Sequence, residues 1–447
     1  MTAPWLEWDR QHLWHPYTRL LTSPPPVPIE RGEGAYLITP DGRRILDAVS
    51  SWWVNIHGHS HSRLIDALAE QGGKLQQVIF AGFSHEPAAR LAHELVERSP
   101  PGLDRVFYSD NGSTAVEVAL KMAIQYWRNR GEPDRTLFVH MKNAYHGDTV
   151  GTMSVAGVST FRGHFQELLF ESREAHAPTC SECPVEETCP RCAIENRFEL
   201  RDILAEEGDR VAAVIIEPML QGVGGMIVWP TEFLRYVRRV TEEAGVPLIA
   251  DEVFTGFGRT GKMFACEHGP VTPDMMCLSK ALTAGYLPLA ATLCTSAIYQ
   301  EFEREDPSAT FLHGHSFTAN PLACAVALES LAIFDEDLCL ERVARLELLY
   351  ETRMEEVAQL PAVKSVRVLG GMAAAELHPG GSAGRDVTAA GGGYFDELGP
   401  HLYREFMQRD MLLRPLGNVL YILPPYVVED EDVDRIFDAV VEVVGVL

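Results

Sequence analysis

From about residue 104 to residue 295 the chain alternates short apolar runs with segments of helical periodicity, and that order admits few folds. Residues 105–108 (RVFY) and 136–140 (TLFVH) read as strands. Between them, residues 115–127 place Val116, Leu120, Ala123 and Trp127 on one helical face. Residues 211–216 (VAAVII) are rich in β-branched side chains and bounded by charge. Residues 231–244 predict a helix, with Thr231 placed to cap it and Gly245 just past its end. Residues 248–250, 275–278 and 289–294 are buried-strand candidates. Strands separated by helices predict an α/β domain around a large, mostly parallel sheet.

The last hundred residues follow another pattern. Residues 338–360 predict a long helix, 363–368 and 372–377 strands, 420–423 a last strand and 430–444 a closing helix. Residues 380–393 are rich in Gly and Ala and read as a loop. The division that follows is an N-terminal segment (1–60) contributing to a small domain and the active site, a large domain (61–335) with a Cys-rich insertion (178–193), and a small α+β domain (336–447). No internal repeat is present.

Charge narrows the function. Lys and Arg number 38 against 63 Asp and Glu, a net charge of −25, which disfavours nucleic-acid partners. The first residues show no basic start followed by an apolar run, so no export signal is expected. No run of about 18 apolar residues predicts a membrane span. A cytoplasmic protein with reduced thiols is the expectation.

Three motifs carry chemistry. In SDNGSTAVEVALK (109–121) a strand gives way to a small-residue turn and a helix start, where free N–H groups bind phosphate; Ser113 and Thr114 offer hydroxyls. Taken alone, the same residues also fit an ordinary helix cap. In LIADEVFTGFGRTGK (248–262) Asp251 and Glu252 end a buried strand, where ligands bind in open α/β sheets. A carboxylate there matches a protonated pyridine nitrogen, or else a structural ion pair. In MMCLSKALTAGYLPL (275–289) Lys280 follows an apolar strand, and a desolvated lysine has the lowered pKa that suits covalent attachment to a carbonyl. A lysine reaching solvent is the alternative for that motif in isolation. The three motifs occur in order, with Asp251 and Lys280 one strand–connector–strand unit apart.

With NAYHGDTVGTMSV (143–155), VIIEPMLQG (214–222) and HGHSFTANPLACA (313–325), these motifs resemble the class III aminotransferases, which depend on pyridoxal 5′-phosphate (PLP) and have the type I PLP fold. The resemblance covers essentially the whole chain. It implies that Lys280 holds PLP, that Asp251 pairs with the ring nitrogen, and that Gly112 and Ser113 bind the phosphate. It further implies that Tyr145 lies against the ring, that Glu217 and Val253 line its pocket, and that His315 and Ser316 reach the phosphate in a neighbouring subunit, hence a homodimer with shared sites.

Within that class, LWHPYT (13–18), LDAVSSWWVNIHGHSH (46–61) and LLRPLGNVLYILPPY (412–426) are similar to the branch that aminates 8-amino-7-oxononanoate in biotin biosynthesis. The implied substrate contacts are Tyr17, Trp52, Trp53, Tyr145, Gly314 and Arg414, with Tyr421 near Arg414. Aromatic walls suit a long aliphatic chain, and a guanidinium suits its terminal carboxylate. Without the resemblance, the Trp pair also fits core packing and Arg414 a surface ion pair. Arg259 fits either a pocket-stabilising or a substrate-contacting role. The chain departs from the pattern at His315-Ser316, where well-known adenosylmethionine users carry Pro-Thr. The donor expected is adenosylmethionine, with lysine as the alternative. Other class III transaminases of ω-amino acids or diamines are a further alternative.

Cys180, Cys183, Cys189 and Cys192 form two C-x-x-C pairs separated by five residues. Four thiolates suit tetrahedral zinc, yet the linker is shorter than usual for such pairs, and an exposed loop of reduced thiols is the other reading. Neither reading places a metal in the chemistry. Cys266 and Cys277 read as core.

Overall fold

The computed structural model describes residues 4–176, 199–378 and 398–447. Its strands, in chain order, are β1 (Arg31–Glu33), β2 (Tyr36–Ile38), β3 (Arg44–Asp47), β4 (Leu103–Ser109), β5 (Leu137–Met141), β6 (Ser172–Ala175), β7 (Val211–Ile216), β8 (Leu220–Gln221), β9 (Ile227–Val228), β10 (Leu248–Asp251), β11 (Met275–Leu278), β12 (Ala290–Thr295), β13 (Val363–Leu369), β14 (Met372–Leu377), β15 (Met411–Leu412) and β16 (Val419–Ile422).

The central sheet has the order β4-β12-β11-β10-β7-β5-β6. Neighbours from β6 to β11 pair in parallel. β12 pairs antiparallel with both β11 and β4, so among these strands it alone is reversed. Helices cover both faces, as a parallel sheet requires. On β7, Val214 and Ile216 pack with the helix Thr231–Ala244, while Ala213 and Ile215 pack with the helix Gly112–Asn129. That alternation explains why VAAVII is apolar throughout: both faces of the strand are buried.

The N-terminal and C-terminal segments share a second core. β3 pairs in parallel with β15 through Met411 and Leu46, closing a sheet of order β1-β2-β3-β15. β13, β14 and β16 form an antiparallel sheet. Leu46, Val49 and Trp53 pack in one cluster with Tyr350, Phe406 and Phe437. The N-terminal strands are thereby built into the C-terminal layer.

Two sequence expectations change. Thr231 is already inside its helix, and Pro230 occupies the cap with no side-chain bond, because its fixed φ of −63° leads directly into the first turn. The helix Pro321–Glu336 was not foreseen; it is apolar around most of its circumference and buried, so it carries no amphipathic stripe. The loop at 380–393 and the four clustered cysteines lie outside the described residues. Among the described residues no helix is long and apolar enough to cross a membrane.

Gly245 ends the helix Thr231–Ala244 at φ 63°, and a Cβ there would meet nothing within 4 Å. The cost of Gly245→Ala is therefore purely conformational, about 1 kcal/mol. Urea unfolding should show that loss with turnover unchanged, and Gly245→Asn should recover part of it, since Asn tolerates the left-handed region.

Candidate active site

β10 and β11 lie side by side in parallel, with Asp251 opposite Cys277. Their carboxyl ends therefore coincide. Asp251 is the last residue of β10, and Lys280 stands two residues beyond the end of β11. Lys280 has φ 45°, a left-handed conformation that opens the short turn Lys280–Thr283. Strained backbone of this kind clusters at functional sites. A cavity of about 480 Å³ opens above this edge. Eight sequence-predicted residues line it: Trp53, Gly112, Ser113, Tyr145, Glu217, Asp251, Val253 and Lys280.

The electrostatics follow from burial. Lys280 Nζ lies 4.6 Å from the Trp53 ring centre and 5.3 Å from that of Phe254. Desolvation lowers its pKa to about 8, with Asp251 and Glu217 pulling the other way. Glu217 is pushed up to about 7, again chiefly by burial, with His146 opposing the rise and Asp251 adding to it. Its two oxygens accept the backbone N–H groups of Tyr145 and Gly222, each at 3.0 Å. Asp251 accepts from His146 Nδ1 at 2.7 Å and from the N–H of Val253 at 3.1 Å. A carboxylate only accepts, so Nδ1 carries the proton. His146 Nε2 is buried and has no hydrogen-bond partner among the described residues.

At the far side of the cavity the helix Gly112–Asn129 begins. Asn111 and Thr114 cap it reciprocally: the Asn111 side chain accepts from Thr114 N–H, and the Thr114 hydroxyl accepts from Asn111 N–H. The Thr114 hydroxyl has its one proton within reach of two acceptors in the turn, the Asp110 carboxylate and the Asn111 carbonyl. Thr114 thus serves the cap, the second of the two readings its sequence context left open. Gly112 and Ser113 face the cavity instead. A Cβ on Gly112 would come within 2.5 Å of Val253 Cγ1, and one on Gly147 within 1.9 Å of Ser113 Oγ. Those glycines keep the helix start open and closely approached.

The aromatic residues form a wall leading outward. Trp53 packs on Phe254 at 4.5 Å and donates its indole N–H to the Tyr421 hydroxyl at 3.1 Å. Trp52 is 42% exposed, stands 5.5 Å from Tyr17 and carries the Arg414 guanidinium 4.6 Å above its ring. Tyr17 reaches Phe161 at 6.0 Å, and Phe161 reaches Tyr145 at 5.4 Å, which joins this group to the cavity. The Tyr17 hydroxyl donates to Asp148. Burial, reinforced by Asp148, raises the Tyr145 pKa well above that of a free phenol, so it stays a hydroxyl.

Gly314, His315 and Ser316 are not brought to this cavity. Their loop is held within the chain by Thr318, whose hydroxyl donates to the His315 carbonyl at 2.8 Å, and by Gln77, which donates to the Ser316 carbonyl at 2.6 Å. Sequence reasoning missed His146, Phe254, Asp148 and Phe161. The first three stand inside quoted motifs, His146 and Phe254 directly beside the selected Tyr145 and Val253 and Asp148 three residues from Tyr145, so proximity was the available signal; Phe161 had none.

A lysine with its pKa near 8 should behave distinctively towards an amine-directed acylating reagent. In cofactor-free protein, the labelling rate at Lys280 should reach half its maximum near pH 8 and level off above about pH 9, where the amine is about nine-tenths neutral. Peptide mass spectrometry measures it. A rate still climbing towards pH 10 would contradict the desolvation argument.

Comparison with known proteins agrees with this geometry. The family model "Aminotransferase class-III" matches residues 20–444. Proteins named adenosylmethionine-8-amino-7-oxononanoate aminotransferase are similar over nearly their full length. That of Geobacter sulfurreducens is 44% identical, covering 97% of this chain and 95% of its own. That of Synechococcus elongatus is 45% identical, covering 96% and 98%. The crystal structure of the Methanocaldococcus jannaschii protein of that name superposes with a TM-score of 0.89 at 37% identity, covering 98% of each chain. An omega transaminase from Pseudomonas jessenii, solved in complex with PMP, gives a TM-score of 0.90 at 30% identity over 99% of each chain. A parallel sheet with a lysine and a carboxylate at one carboxyl edge, matched over nearly its whole length, makes this chain a member of the class III aminotransferase family.

Proposed function

We propose that this aminotransferase transfers an amino group to 8-amino-7-oxononanoate, giving 7,8-diaminononanoate in biotin biosynthesis, with PLP as cofactor and adenosylmethionine as donor. The observation that carries the reading is the desolvated Lys280 beside Asp251, with an aromatic wall leading from it to Arg414. The names of the Geobacter and Synechococcus relatives support the substrate and the donor.

The residues fit PLP on three counts. A helix N-terminus at Gly112 and Ser113 faces the cavity, in a cradle that a Cβ on Gly112 would fill. Asp251 is buried and already oriented by His146, ready for a charge-assisted bond to a protonated ring nitrogen. Val253 and Tyr145 border the space between, and Glu217 lines it with its backbone anchors. When bound, PLP supplies the electron sink that stabilises the carbon losing its proton.

The chain's own residues do the rest. The Lys280 amine, its pKa lowered to about 8 so that a neutral fraction is present near physiological pH, takes the proton from the substrate carbon and returns it on the opposite step. Trp52, Trp53 and Tyr17 pack the aliphatic chain and exclude water, and Tyr421 fixes the Trp53 indole. Arg414 binds the terminal carboxylate, its plane held by Trp52. The same aromatic surface suits the adenine ring and sulfonium charge of adenosylmethionine. We take Gly314, His315 and Ser316 to act in the site of a second copy, making a homodimer with shared sites. Exposed Leu312 and Phe317 beside them accord with that pairing. We further take residues 61–335 as the cofactor-binding domain, 336–447 as the small domain and 1–60 as its N-terminal complement. The buried free thiols Cys266, Cys277, Cys294, Cys324 and Cys339 accord with a cytoplasmic setting.

An assay with 8-amino-7-oxononanoate, offering adenosylmethionine and lysine separately, tests the reading. Turnover with adenosylmethionine supports it. Turnover with lysine alone reassigns the donor, and turnover with neither, alongside activity on other ω-amines, overturns the substrate. Lys280→Ala should lower kcat by roughly 10²–10⁴, the usual worth of a positioned acid–base group. Arg414→Ala should raise KM for the oxo acid about 10- to 100-fold, the contribution of hydrogen bonds to a charged group, with a smaller change in kcat.

A further inference from the structure

Ser50, Ser51, Trp52 and Trp53 have φ angles of 48, 49, 87 and 74°. Four successive residues with a Cβ in the left-handed region form a turn of the wrong hand for L-amino acids, and such a turn persists only where its surroundings impose it. The imposing group on one side is Asp47, whose side chain is fully buried. Its Oδ1 accepts the N–H groups of Ser51 at 2.9 Å and Val49 at 3.3 Å. Its Oδ2 accepts the Ser51 hydroxyl at 2.6 Å and is met by His59 Nε2 at 2.9 Å. The Ser50 hydroxyl donates to the Leu423 carbonyl at 2.6 Å, fastening the turn to the strand end that follows β16.

This turn carries two adjacent indoles to two different tasks. Trp52 goes beneath Arg414 and beside Tyr17, and Trp53 goes to Lys280 and Tyr421. We propose that Asp47 is a positioning residue for substrate capture: by holding the left-handed turn Ser50–Trp53 through Ser51, it sets Trp52 against Arg414 and so governs binding of the long oxo acid. The proposal rests on the reading of Trp52 and Arg414 as the substrate-chain end of the site. Asp47 touches neither the cavity nor the reacting atoms, so its effect belongs in KM and not in the proton transfer at Lys280.

The test uses holoenzyme carrying Asp47→Asn, Ser51→Ala, Trp52→Ala, or Asp47→Asn with Trp52→Ala. For each, KM and kcat are measured with 8-amino-7-oxononanoate at saturating donor, alongside thermal midpoints. Asp47→Asn should raise KM about tenfold with kcat changed less than about threefold, and Ser51→Ala should raise KM about threefold. The double variant should be no worse than Trp52→Ala alone, because both changes act through one side chain. A lowered midpoint with KM unchanged in Asp47→Asn would mean a merely structural role and overturns the proposal. So do effects that multiply in the double variant. If Asp47→Asn does not fold, an unchanged KM in Ser51→Ala overturns it instead. If Trp52→Ala itself leaves KM unchanged, the substrate reading fails and this proposal with it. A raised KM in Trp52→Ala with none in Asp47→Asn sinks this proposal alone.

Discussion

Lys280, Asp251 and Glu217 are withdrawn from water at one sheet edge, where a lone charge is costly and a set of charges must balance. Burial drives Lys280 down to about 8 and Glu217 up to about 7, so both groups lie close to neutral pH. Groups poised in this way exchange protons with small changes in their surroundings, and their titrations are shared. Asp251 is the fixed point of the set. It is held by His146 and by the Val253 N–H. Under the proposed function, a protonated ring nitrogen facing Asp251 would add positive charge beside two buried carboxylates.

That balance requires a rigid edge, and the sheet supplies it. β7, β10 and β11 are parallel neighbours with every residue buried, so their carboxyl ends are fixed relative to one another by backbone pairing. Glu217 directly follows β7, Asp251 ends β10 and Lys280 lies just past β11. The three ionisable groups are thus placed by three adjacent strands. The second core brings the rest. Since β3 pairs with β15, the turn bearing Trp52 and Trp53 and the segment bearing Arg414 leave the same small sheet. The ionisable groups thus belong to one layer, and the Trp52–Arg414 contact to the other.

This division explains what was legible in the sequence. Buried strands are short and apolar, so β7, β11 and β14 are delimited to the residue by sequence, and Asp251 and Lys280 stand out as charges where such runs end. The helix Pro321–Glu336 gave no comparable signal because burial on nearly all sides erases periodicity. His146 reads from sequence as one polar residue in a polar loop, and only packing against Asp251 gives it a task. The run SSWW (50–53) reads as neither helix nor strand. Its left-handed turn depends on Asp47 close by and on Leu423, brought from far along the chain, and the second of these leaves no mark in the local sequence.

Arg259 is where the two layers meet, and its geometry separates the alternatives that its sequence context left open. It is fully buried and does not line the cavity. Its guanidinium donates to the carbonyls of Trp53 at 3.3 Å and of Asn55 and Pro424 at 3.4 Å, and stands 5.0 Å over the Tyr426 ring. Burial lowers its pKa, while Asp47 is the carboxylate that opposes the drop. A lysine would gather its donors at one nitrogen, whereas the planar fork reaches Pro424 from one nitrogen and Trp53 and Asn55 from another. Asp47 thus holds the N–H side of the left-handed turn while Arg259 holds its carbonyl side. A turn that is unfavourable for every residue in it is clamped by one buried charge at each end, Asp47 on the Ser51 side that precedes Trp52 and Arg259 at the Trp53 carbonyl.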